Sequence, residues 1–125
     1  MKHYRIYFIL SCIYLGIASF LFCTPGDAFP EGLDEVLSYD KLLHALAFTL
    51  LAGSFTFSSY KQKGRNVQLF LFWSMAALSY GVLIEILQFY FIKNRSGDIP
   101  DLVADITGCA LSFVIALVFL RRKVN

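Results

Sequence analysis

Ionisable and amide side chains recur at helical spacing in three parts of a chain that is otherwise apolar: Asp40, Lys41 and His44, then Glu85 and Gln88, then Arg95, Asp98, Asp101 and Asp105. Together they offer acid–base and anion-binding chemistry. His44 and Glu85 can act as a general acid and base pair, Lys41 and Arg95 can hold a phosphate or carboxylate, and Asp98 and Asp101 can position them. Asp40, His44, Glu85 and Asp101 are also ligand types that a divalent cation takes. Their spacing matches no specific metal motif, however, and no cofactor is expected.

The elements that must position these residues are membrane helices. Among 125 residues, 58% are hydrophobic and only 16% charged, which lies outside the range of soluble globular domains. The apolar residues fall in long runs, Ile6 to Phe22, Leu42 to Phe57, Val67 to Ile92 and Leu102 to Leu120. Each run is about the length an α-helix needs to cross a ~30 Å hydrocarbon core. The expectation is an all-α integral membrane protein of one domain, 1–125, with helices over about 6–23, 41–59, 67–92 and 101–120. Nothing then remains for a soluble domain. The first run resembles a signal peptide in its basic start, but it is longer than the usual signal core, so a retained helix is expected.

Basic residues set the orientation, because cytoplasmic flanks of membrane helices carry the excess of lysine and arginine. Lys2 and Arg5, then Lys61, Lys63 and Arg65, then Arg121, Arg122 and Lys123 occupy three alternate flanks, whereas Asp27, Glu31, Asp34 and Glu35 make the loop after the first helix acidic. Both termini are expected in the cytoplasm of a multi-pass protein. The basic residues form no stripe interleaved with aromatics, so no nucleic-acid partner is expected. Cys12, Cys23 and Cys109 have no ligand-like spacing and read as packing residues.

Depth then gathers the polar residues. Asp40 suits the cap of the second helix and His44 lies one turn inside it, next to a face of small residues, Ala45, Thr49, Ala52 and Thr56. A segment at 31–39 can form a short surface helix. Gly81, Glu85 and Gln88 share one side of the third helix near its outer end. Pro100 suits the start of the fourth, where Asp101, Asp105, Gly108 and Ser112 share a face. All of these polar residues fall in the outer leaflet. Three readings remain open: a structural lock between helices, in which Glu85 bonds His44 or Gln88; a site that binds or alters an envelope substrate; and a proton relay through Glu85 and His44. The relay ranks last, since four helices without an inverted repeat are few for a transporter.

The segments "DKLLHALAF", "YGVLIEILQFY" and "NRSGDIPDLVADITG" resemble the signature segments of the VanZ-like family, small membrane proteins named for a teicoplanin-resistance accessory protein. The resemblance spans Asp40 to about Ala116. By position, Asp40, Lys41 and His44 match an Asp-Lys-x-x-His motif, Glu85 and Gln88 a Glu-x-x-Gln motif, and Arg95, Asp98 and Asp101 an Arg and Asp cluster. Asp105 stands where the family usually has Asn, and Ser112 where it often has a second Gly. The resemblance implies a protein of the bacterial plasma membrane that acts on the cell envelope, contributing to glycopeptide tolerance. The partners so implied are the bilayer and an anionic group linked to lipid or peptidoglycan.

Overall fold

The structure, a computed structural model, describes residues 2–24, 40–92 and 99–120. Among these residues there is no strand. The elements are α1 (His3–Cys23), α2 (Asp40–Lys63), α3 (Val67–Phe91) and α4 (Ile99–Phe119). Each is long and apolar enough to cross a membrane. The expected segment at 31–39, Arg95, Asp98, the basic tail from Arg121 and the side chain of Asp40 lie outside what is described.

α1 begins at His3, earlier than the expected 6, and two further helix ends differ from expectation for local reasons. The second helix runs past the predicted end at 59 to Lys63, because the polar residues Ser58 to Lys63 are compatible with helix and nothing stops it before Gly64. Gly64 does stop it. Its φ of +74° is the left-handed conformation that favours glycine, and its N–H donates to the Tyr60 carbonyl at 2.8 Å. Asn66 then caps α3, its Oδ1 accepting from the Leu69 N–H at 3.0 Å. At the other difference, α4 begins at Ile99 instead of 101, which puts Pro100 in the first turn, where its missing N–H costs no helical bond.

The helices alternate in direction, and hydrogen bonds between them define two ends. At one end Ser58 Oγ donates to the Tyr4 carbonyl at 3.2 Å, and Arg65 Nη1 donates to the carbonyls of Leu117 and Leu120, both at 2.9 Å. The start of α1, the α2–α3 turn and the end of α4 therefore meet, together with Lys2, Arg5, Lys61 and Lys63. At the other end Gln88 Nε2 donates to the Phe22 carbonyl at 3.0 Å. Here the end of α3 joins the end of α1 and the starts of α2 and α4.

Arg65 closes the carbonyl end of α4, where four C=O groups lack partners within the helix. Arg65→Ala is expected to lower stability by about 1.5–3 kcal/mol, the range for hydrogen bonds to a charged group. Thermal unfolding of the full chain in detergent checks this, with Arg65→Lys expected to recover only part of the loss, because a point charge does not reproduce the guanidinium fork.

Apolar side chains lie both in the core, as Phe48, Leu51 and Phe70 do, and over the outer surface, and the polar ones are gathered inside. Ile13, Phe20, Leu50, Phe72, Leu83, Val103 and Val118 face outward, while Ser11, His44, Thr56, Glu85, Gln88, Asp101, Asp105 and Ser112 are buried. In water this arrangement would expose a continuous apolar surface, whereas in lipid it covers the polar groups and leaves the apolar ones solvated. α2 is the centre of the bundle and touches the other three helices. Its contact with α4 is the closest. A Cβ on Gly108 would lie 2.4 Å from the Ala45 carbonyl oxygen, and Thr49 Oγ1 donates to the Gly108 carbonyl at 3.1 Å. The small-residue face predicted on α2 is the surface that makes this approach feasible. Aromatic rings fill the wider gaps: Phe55 stacks on Trp73 with centroids 4.8 Å apart, and the Trp73 indole N–H donates to Ser59 Oγ.

Candidate functional site

The polar end of the bundle brings one donor from each of three helices to a single point. His44 comes from α2, Glu85 from α3 and Asp105 from α4, with exposures of 1%, 8% and 0%. His44 Nδ1 lies 2.8 Å from Asp105 Oδ1 and 3.7 Å from Glu85 Oε1. The first distance is a hydrogen bond and the second is too long for one. An ionised carboxylate only accepts, so with Asp105 charged the proton sits on Nδ1 and Nε2 is the remaining acceptor of a neutral ring.

Local packing explains why these side chains meet. Phe48, one turn beyond His44, is fully buried beneath the cluster, and the Phe22 ring lies 4.9 Å from the His44 ring at a tilt of 43°. Gly81 stands one turn before Glu85. A Cβ there would come within 2.9 Å of Phe48 Cε1 and 3.1 Å of Asp105 Oδ2, so the glycine leaves room for both. Gly108 does the same for the backbone of α2. Enclosed by aromatic rings and away from bulk water, charges in this pocket interact more strongly than at the surface.

The predicted residues divide into three groups. His44, Glu85 and Asp105 form the buried cluster. Lys41 and Asp101 form a second pair at the start of α2 and α4, with Nζ to Oδ1 at 3.8 Å. The Lys41 side chain is 60% exposed and that of Asp101 only 4%, so the pair marks the boundary of the bundle. Gln88 is buried but turned to α1, where it holds the Phe22 carbonyl, in place of the Glu85 partner considered for it. Asp105 takes the place beside His44 that the residue pattern offered to Glu85. Asp101, grouped with His44 and Glu85 as ligand types, sits with Lys41 instead.

Sequence reasoning missed the aromatic enclosure. Phe48 carries a weak signal, since it follows His44 by four residues. Phe22 carries none, because its position depends on how α1 leans on α2. Tyr80 extends the polar chain, its hydroxyl 2.7 Å from Ser19 Oγ and its ring 5.9 Å from that of Phe48. Its spacing places it on the same face of α3 as Gly81 and Ile84, but its partner Ser19 is reached only once α1 packs on α3.

Chemically, the cluster can exchange a proton, orient an imidazole against a carboxylate, or supply one nitrogen and two carboxylate oxygens to a positive ligand. No curated protein and no solved structure matches the chain. The model of the VanZ/LLP1 family matches residues 7–120, nearly the whole chain, covering all three clusters of polar residues. The chain therefore belongs to the VanZ/LLP1 family.

Proposed function

We propose that this chain is a bacterial plasma-membrane protein, with both termini in the cytoplasm, that binds or modifies an anionic lipid- or peptidoglycan-linked group and thereby contributes to glycopeptide tolerance. The observation that carries the reading is the convergence of His44, Glu85 and Asp105 from three helices at the end of the bundle opposite Lys2, Arg5, Lys61, Lys63 and Arg65. If those basic residues are cytoplasmic, as basic flanks usually are, the cluster is in the outer leaflet. Lys41, exposed at the boundary, supplies a cation to the anionic group, and the His44–Asp105 pair supplies an oriented base.

A groove adds support for a lipid-linked ligand. It runs between α2 and α4 along Leu50, Gly53, Phe57, Ile115, Ala116 and Phe119, with Thr49 at one end, five residues along α2 from His44. The stretch of α2 from Thr49 to Phe57 is about 12 Å long at 1.5 Å per residue, enough to bed part of an acyl or isoprenoid chain.

The near-complete burial of His44 and Asp105 favours a second reading, a lock that only holds the helices together. Expression in a teicoplanin-sensitive Gram-positive host separates the two. Lys41→Ala, Glu85→Gln and the double variant His44→Phe/Asp105→Leu are scored for folded protein in the membrane and for teicoplanin susceptibility. Folded variants that lose the tolerance given by the unaltered chain support a site. If the folded double variant keeps full tolerance, the cluster is a lock. A parent chain that gives no tolerance removes the glycopeptide reading, and an exported reporter at Lys63 removes the outer-leaflet placement.

A further inference from the structure

We propose that His44, Glu85 and Asp105 form a binding site for one first-row divalent cation of the Zn2+ or Mn2+ type. This deepens the reading of the cluster as a binding site and rests on it. One imidazole and two carboxylates are borderline-to-hard donors, which suit these ions and do not suit Cu(I) or iron–sulfur clusters. Each comes from a different helix, so the ion would tie α2, α3 and α4 together at one point.

The distances agree with shared coordination. One donor atom from each residue lies within 4.8 Å of the others, and all three residues are buried. With metal–ligand bonds of about 2.0–2.2 Å, neighbouring donors around a tetrahedral or octahedral ion stand roughly 2.8–3.6 Å apart. Of the separations from Nδ1, 2.8 Å lies at the lower end of that range and 3.7 Å just beyond its upper end. A small adjustment of the Glu85 side chain brings the second within it. The same short distance to Asp105 also serves a hydrogen bond, so the ion would replace the Nδ1 proton and the neutral ring would carry its proton on Nε2; the oriented base described above then belongs to the ion-free chain.

The surroundings provide a second, separate observation. α3 presents Gly81 to Asp105, and a Cβ there would lie 3.1 Å from Oδ2, so the residue one turn before Glu85 brings no side chain against that oxygen. Phe22 and Phe48 flank the histidine and keep the donors in a low-dielectric pocket, where a divalent charge is held more strongly than in water.

The test uses the purified full chain in detergent, stripped with a chelator and then loaded with ZnCl2 or MnCl2. Metal analysis after desalting is expected to find one ion per chain, and X-ray absorption of the zinc form to find one imidazole nitrogen with oxygen ligands. Glu85→Gln and Asp105→Asn are each expected to weaken binding at least about tenfold, since even outer-shell changes cost that much. His3→Ala and a triple serine replacement of Cys12, Cys23 and Cys109 are expected to leave it unchanged. Failure of the unaltered chain to retain an ion, sulfur in the coordination shell, or undiminished binding by both carboxylate variants overturns the site. If the variants do not fold, the stoichiometry and ligand shell of the unaltered chain still decide. These readouts are independent of antibiotic susceptibility: an ion bound without tolerance sinks only the glycopeptide reading, and tolerance lost on mutation without any ion bound sinks only the metal.

Discussion

Gly108→Leu is expected to leave no folded bundle in the membrane. A Cβ at this position would sit 2.4 Å from the carbonyl oxygen of Ala45 and 3.1 Å from its carbon, so the obstruction is backbone and cannot rotate away. To admit it, α4 must separate from α2, which breaks the Thr49 bond to the Gly108 carbonyl and opens the most extensive helix pair in the protein. Overpacking a core costs about 1–3 kcal/mol where neighbours can yield. Gly108→Ala is expected at the top of that range or above it, and leucine, larger still, should exceed the few kcal/mol by which a small protein is stable. Gly16, with nothing within 4 Å of its added Cβ, supplies the contrast. Gly16→Leu should express and unfold like the parent, as monitored by fluorescence size-exclusion and thermal unfolding in detergent.

The second large effect is expected at Asp105. Asp105→Leu removes the acceptor from His44 Nδ1 in a pocket where His44 is 1% exposed, and breaking a buried pair from one side costs about 3–5 kcal/mol. Asp105→Asn should cost much less, because its Oδ1 still accepts at the same place. Replacing both partners, as in His44→Phe/Asp105→Leu, should recover part of the loss, since neither partner of that hydrogen bond is left orphaned while the larger side chains overpack the pocket. Thermal unfolding of the parent, Asp105→Leu, His44→Phe and the double variant measures the coupling directly, with Asp105→Asn as the isosteric control. Equal losses for Leu and Asn would mean that the hydrogen bond is not what the site supplies to stability.

These two predictions also divide what could be read from the residues from what could not. The apolar runs announce four membrane helices because a bilayer demands about twenty consecutive apolar residues and backbone satisfied within each helix, both local requirements. The face of Asp101, Asp105, Gly108 and Ser112 follows from a periodicity of 3.6, and all four are buried as that face requires. The end of α2 at Lys63 was less legible, because polar residues continue a helix as readily as they leave one until a residue such as Gly64 stops it.

Partner choice within the site was not legible at all. Spacing along one helix places Glu85 and Gln88 on one side of α3, but cannot say that Gln88 turns to the Phe22 carbonyl while Asp105 takes His44. That depends on the rotation of α4 against α2, set by the contact of Gly108 with Ala45, and on the lean of α1, which carries Phe22 over the histidine. Those are relations between residues on different helices, from about twenty to about sixty positions apart in the chain, and no local periodicity carries them.

What the sequence determined by itself was the number of membrane helices, the end of the bundle that gathers ionisable groups, and the small-residue face of α2 that lets a neighbour close, because each depends on length, depth or local spacing. What only the tertiary structure decided was that His44, Glu85 and Asp105 share one point while Lys41 and Asp101 form a separate pair at the boundary. The physical reason is that helix rotation and separation are fixed by packing at interfaces, where differences of an ångström choose which of several carboxylates meets the imidazole.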